Sequence, residues 1–580
     1  MMPTPHETVP QQHRRLAVVL VLLLGAWLLM SMRFSYWHIF CPKRVAAAED
    51  FRVRPVEWPA RRGTIMDSTG HILAIDVPRY FACCDPSLVT KDEDRLRIAN
   101  EIAAVSTANP LDVYKAIAEP PSPRYVRLAR DLSGPVARKL DEVDGIYTEA
   151  FHTRAYPEGT LAAHLLGFVN KAETEEDRAG YGLEWFYYDE LGGQPGLEEI
   201  YDGRWGTSTH TFRPPVDGID IMLTINRVAQ YEAEKALRGA VQQHRATGGS
   251  IIVMDPKTGA IIAMANEPTY DPNRYADFAE NPRVFANASI SENYEPGSVF
   301  KVITMAAALD SGLVRPEDTY TDYGQILVGG RLFKNALDKS YGLVDMAEIL
   351  VYSLNVGAAR LSTGMRGEAF YDYVHRFGFG SPTGVDLAGE ASGAVQLPGS
   401  PTWAESDLAA NAFGQAISVT PLQMVNAIAA VANGGKLMRP YVVQSKYQNG
   451  AWIDTQPEVV RQVISPKAAQ QVTAMMEETV ERSYDVAAIP GYRIAGKTGS
   501  AEIAGSGGYI ADESAVITSF VGFLPVEDPR FVILVKVDRP QSGFWGSAVA
   551  LPVFQQLASR LLSLYDVAPS QQLANQGYGQ

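Results

Sequence analysis

The feature that most constrains this chain is the run from Leu16 to Met32. It holds 17 consecutive residues without a charge, mostly Leu, Val and Ala, and Arg14-Arg15 precede it. As a helix rising 1.5 Å per residue it would be about 25 Å long, the short end of what crosses a bilayer's hydrocarbon core. Phe34, Tyr36, Trp37 and Phe40 follow as an aromatic belt suited to the membrane interface. A cleaved signal peptide, cut at Ala46-Ala47-Ala48, is the competing reading. Its hydrophobic core would be longer than usual, and Arg33, Lys43 and Arg44 intervene before the alanines, so the anchor is favoured. Those three cations match or outnumber the leading arginines, and positive-inside counting therefore leaves the orientation open. The expectation is a tail at 1–15, an anchor at 16–32, and nearly all of the chain on one side of the membrane.

With 580 residues the chain exceeds one average domain, and two or three with sizeable cores are expected. A net charge of −15 supplies no basic surplus to neutralise phosphates, which argues against nucleic-acid binding. Three cysteines (Cys41, Cys83, Cys84) exclude a disulfide framework and an all-cysteine zinc site. The nine histidines include no His-Glu-x-x-His, so a zinc hydrolase is not expected. Adjacent Cys83-Cys84 reads as a buried pair of thiols, since neighbouring cysteines rarely form an unstrained disulfide.

Residues 33–218 read as a mixed α+β region. Arg62-Gly63-Thr64-Ile65-Met66-Asp67 and Ile72-Leu73-Ala74 flank an Asp-Ser-Thr-Gly turn, while Asp92 to Val105 and Val136 to Val143 have helical patterns. This region shows no nucleophile beside a base, and Glu184 reads as a buried structural carboxylate; it is a scaffold. Pro214-Pro215-Val216-Asp217-Gly218 is a turn-rich break and the expected boundary. Residues 219–565 then carry a strand at Ile221–Ile225, a helix at Arg227–Val241, a buried hairpin at Gly249–Ala265, and strands at Ala515–Phe523 and Phe531–Val537. The Gln-, Ser- and Asn-rich residues 566–580 are expected to be disordered.

The chemistry centres on Tyr294-Glu295-Pro296-Gly297-Ser298-Val299-Phe300-Lys301. Pro296-Gly297 breaks the preceding element, and Val299 to Leu309 reads as a buried helix. Ser298 then sits at a helix start, where unpaired N–H groups favour developing negative charge, and Lys301 lies one turn on along the same face. A serine hydroxyl becomes a nucleophile when an adjacent base takes its proton, and a desolvated lysine serves as that base. Taken alone, these residues are more often a helix-capping serine with a solvated lysine, since a chain this long holds a Ser-x-x-Lys by chance. Tyr352-Ser353-Leu354-Asn355 offers a hydroxyl to relay a proton and a carboxamide to hold an amide; a capping serine is its bland alternative. In Gly496-Lys497-Thr498-Gly499-Ser500 the glycines suit a strand that a ligand backbone approaches closely, with Lys497 and Thr498 placed to bind a carboxylate; a solvated turn is the alternative there.

Ser-x-x-Lys, Ser-x-Asn and Lys-Thr-Gly, in that order, are the set shared by penicillin-binding proteins and class A β-lactamases. The sequence closely resembles a class B penicillin-binding protein, a monofunctional peptidoglycan transpeptidase, and more the division than the elongation type. The likeness spans about residues 15 to 560. It includes Arg-Gly-x-Ile-x-Asp at 62–67, Arg-x-Tyr-Pro at 154–157, Gly-Leu-Glu at 182–184, Glu-Pro-Gly-Ser at 295–298 and Phe-Gly-Gln at 413–415.

The resemblance implies an α/β multidomain chain. A membrane helix would lead to a non-catalytic pedestal, of the dimerisation type, at 33–218. An outward-facing transpeptidase domain at 219–565 would pack an antiparallel sheet between helices. No glycosyltransferase domain is expected before the pedestal. Ser298 would be the acyl-forming nucleophile, Lys301 its base, Ser353 the proton shuttle to the leaving amine and Asn355 the residue holding the peptide. Lys497 and Thr498, with Gly499 and Ser500, would bind the donor's terminal carboxylate. Backbone N–H groups of Ser298 and Ser500 would form the oxyanion hole. Lys301 must be neutral to act, and burial and Lys497 would lower its pKa.

No metal or cofactor is implied. The implied partners are peptidoglycan stem peptides, β-lactams, the cell (inner) membrane, a membrane glycosyltransferase and divisome proteins. A β-lactam sensor or divisome scaffold without turnover is the alternative of another class, and the intact triple favours the enzyme. Glu405, the nearest candidate for a deacylating glutamate, lacks the β-lactamase spacing to Asn411 and reads as a surface or capping carboxylate.

Overall fold

A computed structural model describes residues 9–40, 53–169, 181–202, 208–505, 508–510 and 512–570. Cys41 and the tail beyond 570 lie outside the described residues. Val9–Phe40 is one helix, and its stretch His13–Tyr36 is long and apolar enough to cross a membrane, with none of its apolar window buried by protein.

The chain divides into two compact units, residues 1–61 with 193–217, and residues 62–192 with 218–580. In the first, Val53–Trp58, Gly196–Asp202 and Ser208–Arg213 pair as a three-stranded antiparallel sheet. In the second, the Asp67 turn joins Ile65–Met66 to Ile72–Cys84 as expected, and the helix at Asp92–Val105 has the expected bounds. A helix at Pro110–Ala118 follows that the sequence patterns did not single out. The expected helix Val136–Val143 runs Gly134–Leu140 instead, starting earlier because Pro135 fixes its first turn and ending three residues sooner. Packing groups residues 62–192 with the chain beyond 218: Ile65, Leu73, Tyr156 and Leu165 share one core with Ile221, Leu223 and the helices around Ser298. Cys83 and Cys84 are buried free thiols; burial pushes them up to about 12 and about 11.

The three short motifs of residues 62–184 converge on one buried ionic knot. Glu184, 1% exposed, accepts from Arg62 Nε and Arg154 Nε, each at 2.6 Å, and Asp76 accepts from the Arg62 backbone N–H at 2.8 Å and Arg154 Nη1 at 3.3 Å. Burial alone would raise the Glu184 carboxyl, but the two guanidinium groups hold it below its usual value. The expected structural role of Glu184 is what its surroundings show.

Beyond 218 the chain builds a sheet of five antiparallel strands, β1 (Gly248–Met254), β2 (Ile261–Glu267), β3 (Ala495–Glu502), β4 (Val516–Leu524) and β5 (Phe531–Asp538). Their spatial order is β2-β1-β5-β4-β3. Side chains alternate between faces with period two, and both faces are covered, which is why β1, β2, β4 and β5 read as mostly apolar runs; β3 is the exception. Ile251, Val253, Ile533 and Val535 face helices α1 (Arg227–His244) and α6 (Ala550–Leu564). Ile252, Met254, Val532 and Leu534 face the other core, which holds α2 (Lys301–Asp310), α3 (Asn355–Arg376), α4 (Pro421–Ala432) and α5 (Pro466–Ser483). The expected sheet between helical layers is therefore present, with β2 and β3 as its two edges.

After α6 the chain does not fray at 566. Val567 O accepts from Tyr492 Oη at 2.6 Å, and Ser570, 3% exposed, bonds Gly491 O and the Arg493 N–H. The disorder expected from residue 566 thus fails for 566–570, because the Tyr492 hydroxyl and the backbone groups of Gly491 and Arg493, in the turn before β3, take up these residues.

Candidate active site

Ser298 lies in a single 3-10 turn, Gly297–Phe300, that runs directly into α2. The turn is held by close backbone approach on both sides. Gly297 has φ 58° and its N–H donates to Gly414 O at 3.0 Å; a Cβ on Gly414 (φ 81°) would fall 2.2 Å from Gly297 O. On the other side a Cβ on Gly499 would sit 2.9 Å from Val299 Cγ2 and 3.0 Å from Pro296 O. Only glycine at 414 and 499 lets the 412–416 turn and the edge strand β3 lie against the serine's turn. Two further bonds fix the 412–416 segment: Thr304 Oγ1 donates to Ala412 O at 2.8 Å, and the Ala416 N–H donates to Glu295 Oε1 at 3.0 Å.

Lys301 begins α2, 1% exposed, its stem among the core residues Val299 to Leu309. Its Nζ lies 2.9 Å from Ser298 Oγ, 3.1 Å from Ser353 Oγ and 2.6 Å from Ser353 O. These groups are uncharged. Burial pushes the Lys301 amine well below the usual lysine value, and the charge of Lys497 pushes in the same direction. Ser353 occupies the three-residue break, Tyr352 to Leu354, between the helix Met346–Val351 and α3, with φ 55°. That left-handed backbone, unusual for serine, turns both its carbonyl and its hydroxyl toward Lys301. The three residues expected to transfer a proton therefore touch.

Asn355 is the first residue of α3, and its Nδ2 donates to Lys334 O at 3.0 Å. Its carboxamide is thus oriented by the strand Arg331–Lys334, a partner that spacing did not reveal. Lys497, fully buried in β3, donates from Nζ to Thr498 O at 3.2 Å. Thr498 is half-buried, and its Oγ1 lies 2.7 Å from Tyr484 Oη. Ser500 Oγ accepts from the Gly546 N–H at 3.0 Å, which ties β3 to the segment before α6. Glu405 opens the helix Glu405–Asn411 as an exposed residue; Asp407, not Glu405, caps it, accepting from the Ala404 N–H at 2.9 Å. Sequence reasoning missed Tyr484 and the role of Gly414. Phe413-Gly414-Gln415 was visible as a motif, but nothing in it says which backbone it must approach.

The profile of the penicillin binding protein transpeptidase domain matches residues 249–559, more than half of the chain. The chain belongs to the penicillin-binding transpeptidase family. The profile of the penicillin-binding protein dimerisation domain matches residues 57–210, the pairing of domains found in class B members. Stage V sporulation protein D of Bacillus subtilis is 31% identical over 577 residues, covering 96% of this chain and 86% of that protein. Peptidoglycan D,D-transpeptidase FtsI of Escherichia coli K12 is 29% identical over 568 residues, covering 96% and 92%. A solved peptidoglycan synthetase from Bifidobacterium adolescentis superposes with TM-score 0.74 at 29% identity, over 90% of this chain and 98% of that one.

Proposed function

We propose that this class B penicillin-binding protein is a serine D,D-transpeptidase that crosslinks peptidoglycan stem peptides through an ester on Ser298. The observation that carries the proposal is the Lys301 amine, buried among uncharged groups and within 3.1 Å of two serine hydroxyls. A neutral Lys301 takes the Ser298 proton as Oγ attacks the carbonyl of the penultimate D-Ala. The oxyanion forms at the start of the turn, against the N–H groups of Ser298 and Ser500. Lys301 hands its proton through Ser353 to the departing D-Ala amine, which leaves as the C–N bond breaks. An acceptor amine then attacks the ester and its proton returns by the same pair, so that Ser298 and Lys301 end as they began. Lys497 and Thr498 supply a cation and a hydroxyl for the donor's terminal carboxylate, and Asn355 holds its backbone amide.

The apolar helix supports a membrane anchor in the inner membrane with the catalytic unit outside the cytoplasm. Protease added to spheroplasts then digests nearly the whole chain, and full protection contradicts that topology. Residues 33–218 act as the docking pedestal, and 219–565 carry the chemistry. Septal work beside a membrane glycosyltransferase and division proteins is supported by the kind of relatives the chain has; depletion from a rod-shaped host should give filaments rather than spheres. The direct test of activity is crosslinking of a pentapeptide donor to an amine acceptor by the purified chain. Penicillin binding without any crosslinked product would instead favour a sensor or scaffold.

A further inference from the structure

The segment Arg482-Ser483-Tyr484, where α5 ends, touches both walls of the catalytic cleft. Toward the Ser353 side, Arg482 Nη2 donates to Glu348 Oε1 and to Tyr352 Oη, each at 3.0 Å, and Ser483 Oγ donates to Val351 O at 3.1 Å. Tyr341 stacks on Tyr352 with ring centroids 4.8 Å apart, closing this side. Toward β3, the chain leaves the helix at Tyr484 (φ −138°, ψ 67°), whose ring packs edge-on against Phe520 and whose Oη meets Thr498 Oγ1 at 2.7 Å. Three consecutive residues thus link the turn that presents Ser353 to the strand that presents Lys497 and Thr498.

The hydroxyl pair matters because Thr498 has one proton to give. A carboxylate accepts only, so a useful Thr498 must spend its O–H on the ligand. A phenol is the more acidic hydroxyl and the better donor, and when it donates to Thr498 Oγ1 the threonine proton is left for the cleft. Lys497 Nζ, 3.5 Å from the same oxygen, also presents donors to it and favours the same orientation.

We infer that Tyr484 is a positioning residue for donor selection: its hydroxyl orients the Thr498 O–H toward the terminal carboxylate of the acyl donor. This rests on the proposed role of Thr498 as a carboxylate ligand, and the experiment separates the two. Acylation of the full-length protein is timed with a thioester donor ending in a free carboxylate and with the same donor capped as its methyl ester. Thr498→Val should lower the ratio of the two rates; an unchanged ratio removes the carboxylate role of Thr498 and the inference with it. Tyr484→Phe should lower the ratio about tenfold, the size of one neutral hydrogen bond. In a Thr498→Val background it should add nothing further. If Tyr484→Phe slows both donors in proportion, it acts only as packing for the strand and the inference fails. It fails equally if the two substitutions are independent, or if Tyr484→Phe leaves the ratio as it was while Thr498→Val lowers it.

Discussion

Replacing Lys301 with methionine separates the two things a buried amine does here. For catalysis, the substitution removes the single base in contact with Ser298 Oγ among the described residues. General-base loss typically slows a reaction 10²- to 10⁴-fold, or about 2.7 to 5.5 kcal/mol in the barrier. For stability, methionine fills similar space but leaves the Ser353 carbonyl without its 2.6 Å donor, a cost of about 1–3 kcal/mol. Against that stands the cost of burying an amine. Lys301 has a folded-state pKa well below its unfolded value because of burial and Lys497, so the unfolded chain binds the extra proton. Stability therefore falls as pH falls through the window between the unfolded and the folded pKa, by about 1.4 kcal/mol per pH unit. Methionine has no such slope. The melting temperature of Lys301→Met should accordingly gain on the wild type as pH drops below the unfolded lysine value of about 10.4, while stopped-flow acylation by a fluorescent penicillin stays slower by at least two orders of magnitude. A melting difference that does not change with pH would show that Lys301 is charged in the folded protein. Acylation within tenfold of wild type would remove it as the base.

Glu184→Gln should destabilise the catalytic unit by about 3–5 kcal/mol, read as a fall in denaturant midpoint, because Arg62 and Arg154 keep their charge in a buried site. The Glu184 carboxyl is held below its unfolded value, so its contribution is full above about pH 4.3 and is lost as pH falls through the folded-state value; a variant as stable as wild type at pH 7 sinks the ionic-knot account. Gly414→Ala should lower the melting temperature and slow penicillin acylation together, since the new Cβ meets Gly297 beside the nucleophile; normal labelling would show that the 412–416 turn is not what holds Ser298. Glu405→Gln should leave release of a bound penicillin as slow as before, its carboxylate being exposed at a helix start; faster or slower release would make Glu405 part of the deacylation chemistry.

Much of this site could be read from residue order, because its chemistry is local. Ser298 and Lys301 are one turn apart, and a 3-10 turn followed by a helix has few ways to place them. The sheet was legible too: strands with both faces covered are mostly apolar, as β1 and β5 are apart from Ser250, Lys536 and Asp538. Contacts set by tertiary packing were not. Nothing fourteen residues ahead of Thr498 marks Tyr484 as its partner, and the Lys334 carbonyl that orients Asn355 lies on another element. The packing of residues 62–192 was hidden for a related reason. A turn rich in proline and glycine at 214–218 marks a change of direction, whereas the core formed by Ile65, Tyr156 and Ile221 is a property of the folded chain. The tail shows the same limit: polar composition suggested disorder, yet Ser570 is bonded to Gly491 and Arg493.

The central claim is that Ser298 forms an ester that water does not readily attack. Intact-mass spectrometry of the full-length protein after brief exposure to penicillin tests it most directly, followed by peptide mapping and a time course after dilution. The account predicts one penicilloyl adduct on the peptide containing Ser298, absent in Ser298→Ala and persisting for many minutes. An adduct on another residue, labelling that survives Ser298→Ala, or release within seconds would contradict it.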